Sequence, residues 1–232
     1  MTGAGLLVAH SPFSLALGGT QSRKKLGVAL LGLGNYSANL LAPALQHTEH
    51  CELRGIITGT ESKISKWQRK YGIQDSNVYT YDTIDEVANN KDIDVIYVVT
   101  PTGTHKDFAV KAANTGKHVW CEKPMAMNSD ECQAIIDACN KNGVTLSIGY
   151  RMQHEPNTRT FHHYLESMPY GKFKKVSSFA GYAGQGRDAS NWRMQQHMGG
   201  GALYDMGVYA INSARFLTGK EPLSVTGSHP PQ

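Results

Sequence analysis

The sequence of 232 residues predicts an α/β protein with a doubly wound parallel sheet. Strand-like apolar runs alternate with helical patterns over residues 25–150, an order that is typical of parallel sheets. The first apolar run leads into a Gly-x-Gly turn and then into a helical pattern. Gly72, Gly116 and Gly143 stand where predicted helices stop, as glycine commonly does at helix C-termini.

The predicted elements alternate along the first part of the chain. Strands are expected at residues 26–31, 51–58, 94–100, 117–121 and 144–148. Helices are expected at residues 39–45, 61–71, 83–89, 105–115 and 128–142. The first run is apolar throughout, as a strand that is buried on both faces of a sheet should be.

Composition excludes several classes of protein. Charged residues make up 18% and hydrophobic residues 40% of the chain, which is typical of a globular protein rather than a disordered one. The formal net charge of +4 is spread without Lys/Arg blocks, and Arg23-Lys24-Lys25 is too short to indicate nucleic-acid binding. No apolar stretch reaches the roughly 18 residues that span a bilayer. We therefore expect neither nucleic acid nor a membrane as a partner.

Neither the cysteines nor the paired histidines indicate a metal site. Cys51, Cys121, Cys132 and Cys139 contain no Cys-x-x-Cys pair, so four free thiols are expected. His162-His163 has no further ligands at metal spacing and is interpreted as a solvated part of a helix.

Residues 1–24 are interpreted separately from the rest. The small, apolar residues 2–9, followed by 14–20, are similar to the apolar middle and the cleavage region of an export signal. They resemble the part that follows the paired arginines of a twin-arginine signal, although no Lys or Arg precedes Arg23. We expect a signal remnant whose start lies upstream, and hence a periplasmic or otherwise exported protein. A flexible N-terminal arm on a cytoplasmic protein is the alternative.

The turn after the first strand has the pattern of a dinucleotide-binding Rossmann fold. Gly32 makes the tight turn, and Gly34 lets backbone N–H groups approach a pyrophosphate at the helix N-terminus. Ser37 stands where the third glycine of this fingerprint is expected, and it is small enough for close helix packing. Residues 25–150 are therefore predicted to form an NAD(P)-binding domain.

Ligands of such sheets bind at the carboxyl ends of the strands. The candidate cofactor-binding residues at this edge are Gly32, Gly34, Asn35, Tyr36, Thr58, Gly59, Thr60, Lys63, Thr100, Pro101, His105 and Glu122. His105 could equally stand there only as the first residue of a helix, without a role in cofactor binding.

The end of the second predicted strand distinguishes the two nicotinamide cofactors. NAD-binding proteins usually place Asp or Glu there to hold the ribose 2′-hydroxyl. Here the strand ends in Thr58-Gly59-Thr60, Glu61 falls beyond it, and Lys63 and Lys66 follow. Hydroxyl, N–H and ammonium groups suit a 2′-phosphate, whereas a carboxylate would repel it. The sequence therefore favours NADP over NAD. The alternative interpretation of Lys63 and Lys66 is that they belong to a solvated helix face and bind no phosphate.

Motifs in the second half of the chain resemble those of the Gfo/Idh/MocA family, which includes glucose–fructose oxidoreductases, inositol dehydrogenases and rhizopine-catabolism proteins. The strongest is Glu122-Lys123-Pro124 within residues 116–126. Similarity continues through residues 148–151, 191–193 and 199–212, and covers most of the chain from residue 25 to 225. Beside Lys123, the family pattern implies three further cofactor-binding residues, Arg151, Trp192 and Arg193.

The resemblance also implies where hydride and proton transfer take place. In the family pattern Lys123, Asp205 and Tyr209 converge on a sugar hydroxyl; most of the family has His at the last of these positions. Tyrosine there resembles the glucose–fructose oxidoreductase branch, which is exported by the twin-arginine route. Asp205 and Tyr209 are four positions apart, so they project from one face of a helix.

This pattern suggests a division of roles among the three residues. Tyr209 is expected to be the acid/base, Lys123 to lower the pKa of the phenol, and Asp205 to anchor the substrate or the lysine. A core aromatic residue on an amphipathic helix is the alternative for Tyr209.

Residues 151–232 are expected to form the incomplete start of an α+β substrate and dimerisation domain. The family's second domain has a large open sheet, of which this chain offers a strand at 173–183, a helix at 200–217 and the start of another strand at 223–227. One or two isolated strands leave open edges and an unburied face. We therefore expect a C-terminally truncated chain that is loose beyond Phe173, from a protein that forms a homo-oligomer at full length.

These observations predict an NADP-dependent oxidoreductase that transfers a hydride between nicotinamide and a sugar. One alternative is an NAD-dependent glycosidase of the same fold, which oxidises its sugar transiently. The other is a non-catalytic nucleotide- or sugar-binding fragment, against which Lys123 and Tyr209 argue. We expect no resident metal ion.

Overall fold

The computed structural model describes residues 24–181 and 188–228, so nearly all of the predicted signal or arm at residues 1–24 lies outside it. Within the described residues, parallel strands form a six-stranded sheet in the order β3-β2-β1-β4-β5-β6. The strands are β1 (Leu26–Leu31), β2 (Cys51–Ile57), β3 (Val78–Tyr79), β4 (Val95–Val98), β5 (His118–Cys121) and β6 (Leu146–Ile148).

Helices connect these strands and follow the last of them. The α-helices of the described residues are α1 (Ala42–Leu45), α2 (Ile64–Tyr71), α3 (His105–Asn114), α4 (Ser129–Lys141), α5 (Pro156–Ser167) and α6 (Val208–Thr218). Two π-helical segments, Ser37–Leu41 and Leu203–Gly207, lead directly into α1 and α6. The 3-10 helices are Glu61–Lys63, Asp75–Asn77, Ile84–Asn89, Thr102–Thr104, Arg151–His154, Trp192–Met194 and Gln196–Met198.

Strand β1 lies in the middle of the sheet and is buried on both faces. It pairs in parallel with β2 on one side and with β4 on the other. Ala29 and Leu31 belong to a core that includes α3 and α4, whereas Val28 and Leu30 belong to a second core that includes α1 and α2. The predicted doubly wound sheet is therefore confirmed, because helices cover both of its faces.

The structure adds to the predicted elements of the Rossmann part. Strand β3 escaped prediction because two residues are too short for a hydrophobic pattern. The helix expected at residues 83–89 is a 3-10 helix, Ile84–Asn89. All four cysteines are free, as predicted.

The region after β6 differs from the prediction in its strands but not in its main helix. The predicted helix at 200–217 is present as the π-helical segment followed by α6. Residues 173–181 and 223–227 are not strands, so both strand predictions are wrong for the described residues; positions 182 and 183 lie outside them. A strand needs the backbone of a neighbouring strand, and no described strand pairs with either segment. Looseness beyond Phe173 stays a prediction.

No helix in residues 24–181 and 188–228 is long and apolar enough to cross a bilayer. No group of three or more His, Cys, Asp or Glu side chains in these residues has the arrangement of a metal site.

Candidate functional site

In the glycine loop after β1, Gly32 is closely packed against neighbouring residues, whereas Gly34 has open space beside it. Gly32 has a φ of +100°, and a Cβ there would lie 2.8 Å from the carbonyl oxygen of Val99. Buried Ser37 donates its hydroxyl hydrogen to the carbonyl of Gly32, with an O–O distance of 2.5 Å. A Cβ on Gly34, by contrast, would meet nothing within 4 Å. This open backbone fits the close approach of a pyrophosphate.

The loop after β2 brings hydroxyl and ammonium groups to the same edge. The Thr60 N–H donates to the Thr58 hydroxyl at 3.1 Å, and Thr58 itself is buried. A Cβ on Gly59 would lie 2.8 Å from the ring of Tyr81, so only glycine lets that ring close over the turn. Lys63 Nζ donates to the carbonyl of Leu33 at 3.0 Å, which places the ammonium group beside the glycine loop.

The loop after β4 is joined to the loop after β5 by His105. Its imidazole is 1% exposed, with Nε2 at 2.8 Å from the Thr100 carbonyl oxygen and Nδ1 at 2.9 Å from that of Pro124. Burial lowers the pKa of His105, and the two carbonyls oppose that effect. Pro101 begins the short turn that leads into α3. His105 therefore begins α3 and joins the two loops from a buried position; its predicted role in cofactor binding stays a prediction.

Glu122 is a buried carboxyl group with partners that the sequence analysis missed. Its Oε1 accepts a hydrogen bond from the Tyr97 hydroxyl at 2.5 Å, and Oε2 accepts one from the Lys123 N–H at 3.3 Å. Burial raises the pKa of Glu122 and that of Tyr97. A Cβ on Gly149 would lie 2.8 Å from Oε1, so glycine at this position makes room for the pair. The only feature of the sequence that could have indicated this pair is Tyr97 itself, a residue with a polar hydroxyl within the otherwise aliphatic strand β4.

Lys123 links the sheet edge to the second part of the chain. Its Nζ donates to the backbone carbonyl of Asp205 at 2.5 Å and lies 3.5 Å from Oδ1 of the same residue. The other carboxylate oxygen, Oδ2, accepts a hydrogen bond from Arg193 Nε at 2.8 Å. Asp205 is 8% exposed, so this carboxylate is buried between two cations. Burial lowers the pKa of Lys123, and Asp205 opposes that effect.

Tyr209 lies against Lys123, but not in the way the sequence analysis expected. Lys123 Nζ sits 4.5 Å from the centre of the tyrosine ring, over its face. Tyr150 meets the ring edge-on, with the two ring centres 6.4 Å apart. Burial raises the pKa of Tyr209 above its ordinary value. The expectation that the phenol pKa is lowered is therefore wrong, because burial outweighs the positive charge of Arg151, which favours the phenolate.

Tyr36 follows Gly34 and Asn35 in this loop and is half-buried. Burial, followed by the charges of Glu122 and Tyr209, raises the pKa of Tyr36 to about 12. Asn35, one position earlier, is exposed.

Trp192 and Arg193 form a short turn that supports Asp205. The guanidinium of Arg193 stacks over the Trp192 ring at 4.4 Å. Close packing fixes this region against the Rossmann part, because a Cβ on Gly199 would lie 2.6 Å from Cβ of Thr102. The Arg193 contact in the structure is thus with Asp205; its predicted role in cofactor binding stays a prediction.

The predicted site residues thus gather at the carboxyl edge of the sheet. A glycine loop that accepts phosphate lies beside buried groups that can hold or move a proton: an ammonium group, a carboxyl group and phenols. An open glycine loop at this edge, in a doubly wound parallel sheet, is the arrangement of a dinucleotide-binding Rossmann domain. The fold and the site thus define a dinucleotide-binding class of protein.

Comparison with protein families agrees with this class. Residues 26–150 match the model described as "Oxidoreductase family, NAD-binding Rossmann fold", and residues 158–231 match the "GFO/IDH/MocA C-terminal domain". The chain belongs to the Gfo/Idh/MocA family of NAD(P)-dependent oxidoreductases.

Individual relatives support the same assignment. The D-xylose 1-dehydrogenase [NADP(+)] of Haloarcula marismortui is 26% identical over 203 residues, which are 86% of this chain and 56% of that protein. The rhizopine catabolism protein MocA of Rhizobium meliloti is 29% identical over 147 residues, 63% of this chain and 45% of that protein. The crystal structure of aldose-aldose oxidoreductase from Caulobacter crescentus complexed with glycerol is 36% identical, with a TM-score of 0.78, over 86% of this chain and 59% of that chain. The chain spans about half the length of these relatives.

The buried charge cluster gives a stability prediction. Asp205→Asn should lower the free energy of unfolding by about 2–4 kcal/mol, because Arg193 and the largely buried Lys123 lose their anionic partner. Urea unfolding followed by circular dichroism measures this. The control is Glu221→Gln, which breaks an exposed pair with Arg215 and should leave the unfolding midpoint unchanged. Equal midpoints for both variants would contradict a stabilising role for Asp205.

Proposed function

We propose that the chain is the cofactor-binding part, with the first portion of the substrate part, of an NADP-dependent oxidoreductase that transfers a hydride between nicotinamide and a sugar. The observation that carries the proposal is the meeting of Lys123, Asp205 and Tyr209 at the carboxyl edge of the sheet. These side chains lie next to a glycine loop with free space above Gly34.

The loops offer distinct places for the parts of the cofactor. The pyrophosphate would lie over Gly34, and the 2′-phosphate would lie at the loop after β2, which offers the hydroxyls of Thr58 and Thr60 and leads to the ammonium group of Lys63. When bound, NADP supplies or accepts the hydride. Thr100 and Glu122 follow the neighbouring strands β4 and β5 and border the remaining part of the cleft.

Tyr209 is the group assigned to proton transfer. A tyrosine phenol has an ordinary pKa of about 10, so Tyr209 is neutral at physiological pH and can donate its proton to a carbonyl oxygen of a sugar, which leaves a phenolate. In the oxidative direction the phenolate takes the proton of the sugar hydroxyl. Lys123 presents an ammonium group to the substrate oxygen, and Asp205 with Arg193 holds that lysine in place.

The choice of a sugar is supported by relatives. The proteins that match over most of this chain include an NADP(+)-dependent D-xylose dehydrogenase and an aldose-aldose oxidoreductase. A glycosidase of this fold would release free sugar with no lasting change in the cofactor. A binding fragment would produce neither free sugar nor reduced cofactor. Net formation of NADPH from an aldose separates these possibilities.

Cofactor preference is tested at Lys63. Lys63→Ala should weaken NADP binding by about 1–3 kcal/mol, because one charge-assisted bond to the 2′-phosphate is lost, and should leave NAD binding unchanged. Isothermal titration calorimetry with both cofactors measures this. Lys70→Ala removes an exposed lysine from α2, the helix that follows Lys63, and serves as the control. Equal losses for both cofactors, or tighter binding of NAD by the parent, would refute the NADP assignment.

Proton transfer is tested at Tyr209 in the full-length protein. Tyr209→Phe keeps the ring and its packing but removes the hydroxyl, so turnover of an aldose with NADP should fall by about 10²–10⁴-fold. Affinity for NADP should hardly change. Tyr170→Phe, at a tyrosine that is 92% exposed, is the control. Turnover within a few-fold of the parent would return Tyr209 to the role of a packing residue.

Export and self-association complete the proposal. Export is supported by the apolar, small-residue composition of the first 20 residues. A homo-oligomer is supported by exposed apolar side chains in the second part of the chain, such as Phe161 and Ile211. Fractionation of cells that express the gene from its own start should place the protein in the periplasm, and its sedimentation should give more than one copy. A cytoplasmic monomer would contradict both proposals.

A further inference from the structure

We propose that Tyr97 is a positioning residue for Lys123: its hydroxyl fixes the carboxyl group of Glu122, and that carboxyl group fixes the backbone that carries the lysine. The sequence pattern did not place Tyr97 at the site. The catalytic consequence of this arrangement rests on the proposed function, whereas the contacts themselves do not.

The register of the sheet brings Tyr97 and Glu122 to one face. Tyr97 of β4 lies beside Trp120 of β5, and Glu122 follows two positions after Trp120, so its side chain points to the same face. The Glu122 N–H donates to the carbonyl of Val98 at 3.0 Å, which continues the parallel pairing beyond the end of β5. The rings of Tyr97 and Trp120 meet at 82° with their centres 5.7 Å apart, and this packing fixes the direction of the tyrosine ring.

Both oxygens of the Glu122 carboxyl group accept hydrogen bonds. Oε1 accepts one from the Tyr97 hydroxyl, with an O–O distance of 2.5 Å, and Oε2 accepts one from the Lys123 N–H at 3.3 Å. Two accepting oxygens suit an ionised carboxylate, which has no hydrogen to donate. Glu122 is 8% exposed, and a carboxylate that is removed from water needs such partners. Its two hydrogen bonds therefore connect β4 to the backbone of the lysine.

Gly149 leaves the space in which this pair forms. Its N–H donates to the carbonyl of Cys121 at 2.8 Å, so Gly149 lies beside Glu122 on the β6 side of the sheet. A Cβ on Gly149 would lie 2.8 Å from Glu122 Oε1 and 3.1 Å from the Tyr97 hydroxyl oxygen. Both separations are too short for an unbonded carbon and oxygen, so an alanine side chain would displace the carboxyl group. Glycine at this position is thus part of the same arrangement.

Lys123 is held at both ends, so a change at its backbone reaches its ammonium group. The backbone N–H is held by Glu122, and Nζ donates to the carbonyl of Asp205. Nζ also lies 4.5 Å from the centre of the Tyr209 ring. In the proposed reaction the ammonium group faces the substrate oxygen, and a misplacement of about 1 Å can lower a rate by about 10²-fold.

The ionisation of Glu122 tests the first contact on the chain itself. ¹³C NMR of a sample with labelled glutamate carboxyl groups follows each group with pH, and the signal that is lost in Glu122→Gln belongs to Glu122. A hydrogen bond donated to the ionised form favours that form. Tyr97→Phe should therefore move the Glu122 midpoint upward by about one pH unit, a tenfold change in its ionisation constant, while it keeps the ring and its packing on Trp120.

The other ionisable groups around Glu122 stay the same in this comparison. Burial raises the pKa of Glu122, and the charges of Lys123 and Arg151 oppose that effect. The further titratable groups whose ionisation this carboxylate disfavours are Tyr36, Cys121 and Tyr209. Because Tyr97→Phe changes none of them, the difference between parent and variant reports the Tyr97 hydroxyl.

The position of Lys123 is the second readout. In Tyr97→Phe the signal of the Lys123 backbone amide should move, because its acceptor is no longer fixed, and so should the signal of the ε-methylene group beside the Tyr209 ring. Tyr79→Phe is the matched control. Tyr79 is a buried tyrosine of β3, at the other edge of the sheet, and its hydroxyl donates to the carbonyl of Ser76 at 2.9 Å. This variant also loses a hydrogen bond, but it should leave the Glu122 midpoint and the Lys123 signals as they are in the parent.

Gly149→Ala gives a second test that removes no hydrogen-bonding atom. Its methyl group should displace Glu122, so the Glu122 midpoint and the Lys123 amide should move as they do in Tyr97→Phe. If Tyr97→Phe does not fold, Gly149→Ala decides alone. An unchanged Glu122 midpoint would overturn the proposal, as would Lys123 signals that move no further than in Tyr79→Phe.

Activity separates this proposal from the proposed function. In the full-length protein, Tyr97→Phe should lower the turnover of an aldose with NADP by about tenfold, and Tyr79→Phe should leave it unchanged. If the parent turns over no aldose, the proposed function fails, while the two NMR readouts still decide whether Tyr97 positions Lys123. Full turnover in Tyr97→Phe despite displaced Lys123 signals would overturn the catalytic consequence.

Discussion

The position of β1 between β2 and β4 is the constraint on which the rest of the structure depends. The connections that follow β1 and β4 run to opposite faces of the sheet, so their loops diverge at the carboxyl edge and open a crevice between them. The two loops still touch at their bases, since a Cβ on Gly32 would lie 3.0 Å from Cγ2 of Thr100. The strand order thus locates the cleft before any functional side chain is considered.

The ion cluster of Lys123, Arg193 and Asp205 then determines which side chains lie at this edge. Asp205 comes from the segment before α6, yet it meets Lys123 of the sheet edge and Arg193 of a third segment. Lys123 and Asp205 are largely removed from water and Arg193 is partly removed, which is unfavourable unless each finds a partner, so the cluster forms only when the two parts of the chain are docked. Docking in this way also brings Tyr209 back to the edge, one helical turn beyond Asp205. An ion cluster therefore positions Tyr209, the residue for which we propose the acid/base role.

The local features of this protein were predictable from sequence, and the long-range ones were not. An apolar run followed by Gly32-x-Gly34 is a local pattern, and it predicted β1 and its turn correctly. The pair of Tyr97 and Glu122 depends on the register of β4 with β5, which no short pattern contains. The pKa direction of Tyr209 was wrong because sequence shows neighbouring charge but not burial. Residues 173–181 have a strand-like pattern, yet no strand forms without a partner strand in the described residues.

The central claim is that the carboxyl edge of the sheet binds a nicotinamide dinucleotide. Titration of NADP into the ¹⁵N-labelled chain, followed by two-dimensional NMR, tests it most directly. The account predicts that the largest shift changes fall on the backbone amides of Gly34, Thr60 and Lys63. A cavity of about 370 Å³, which Glu52 and Gly72 help to line, lies at the opposite end of the strands. Largest changes at Glu52 and Gly72, with the glycine loop unaffected, would contradict the account.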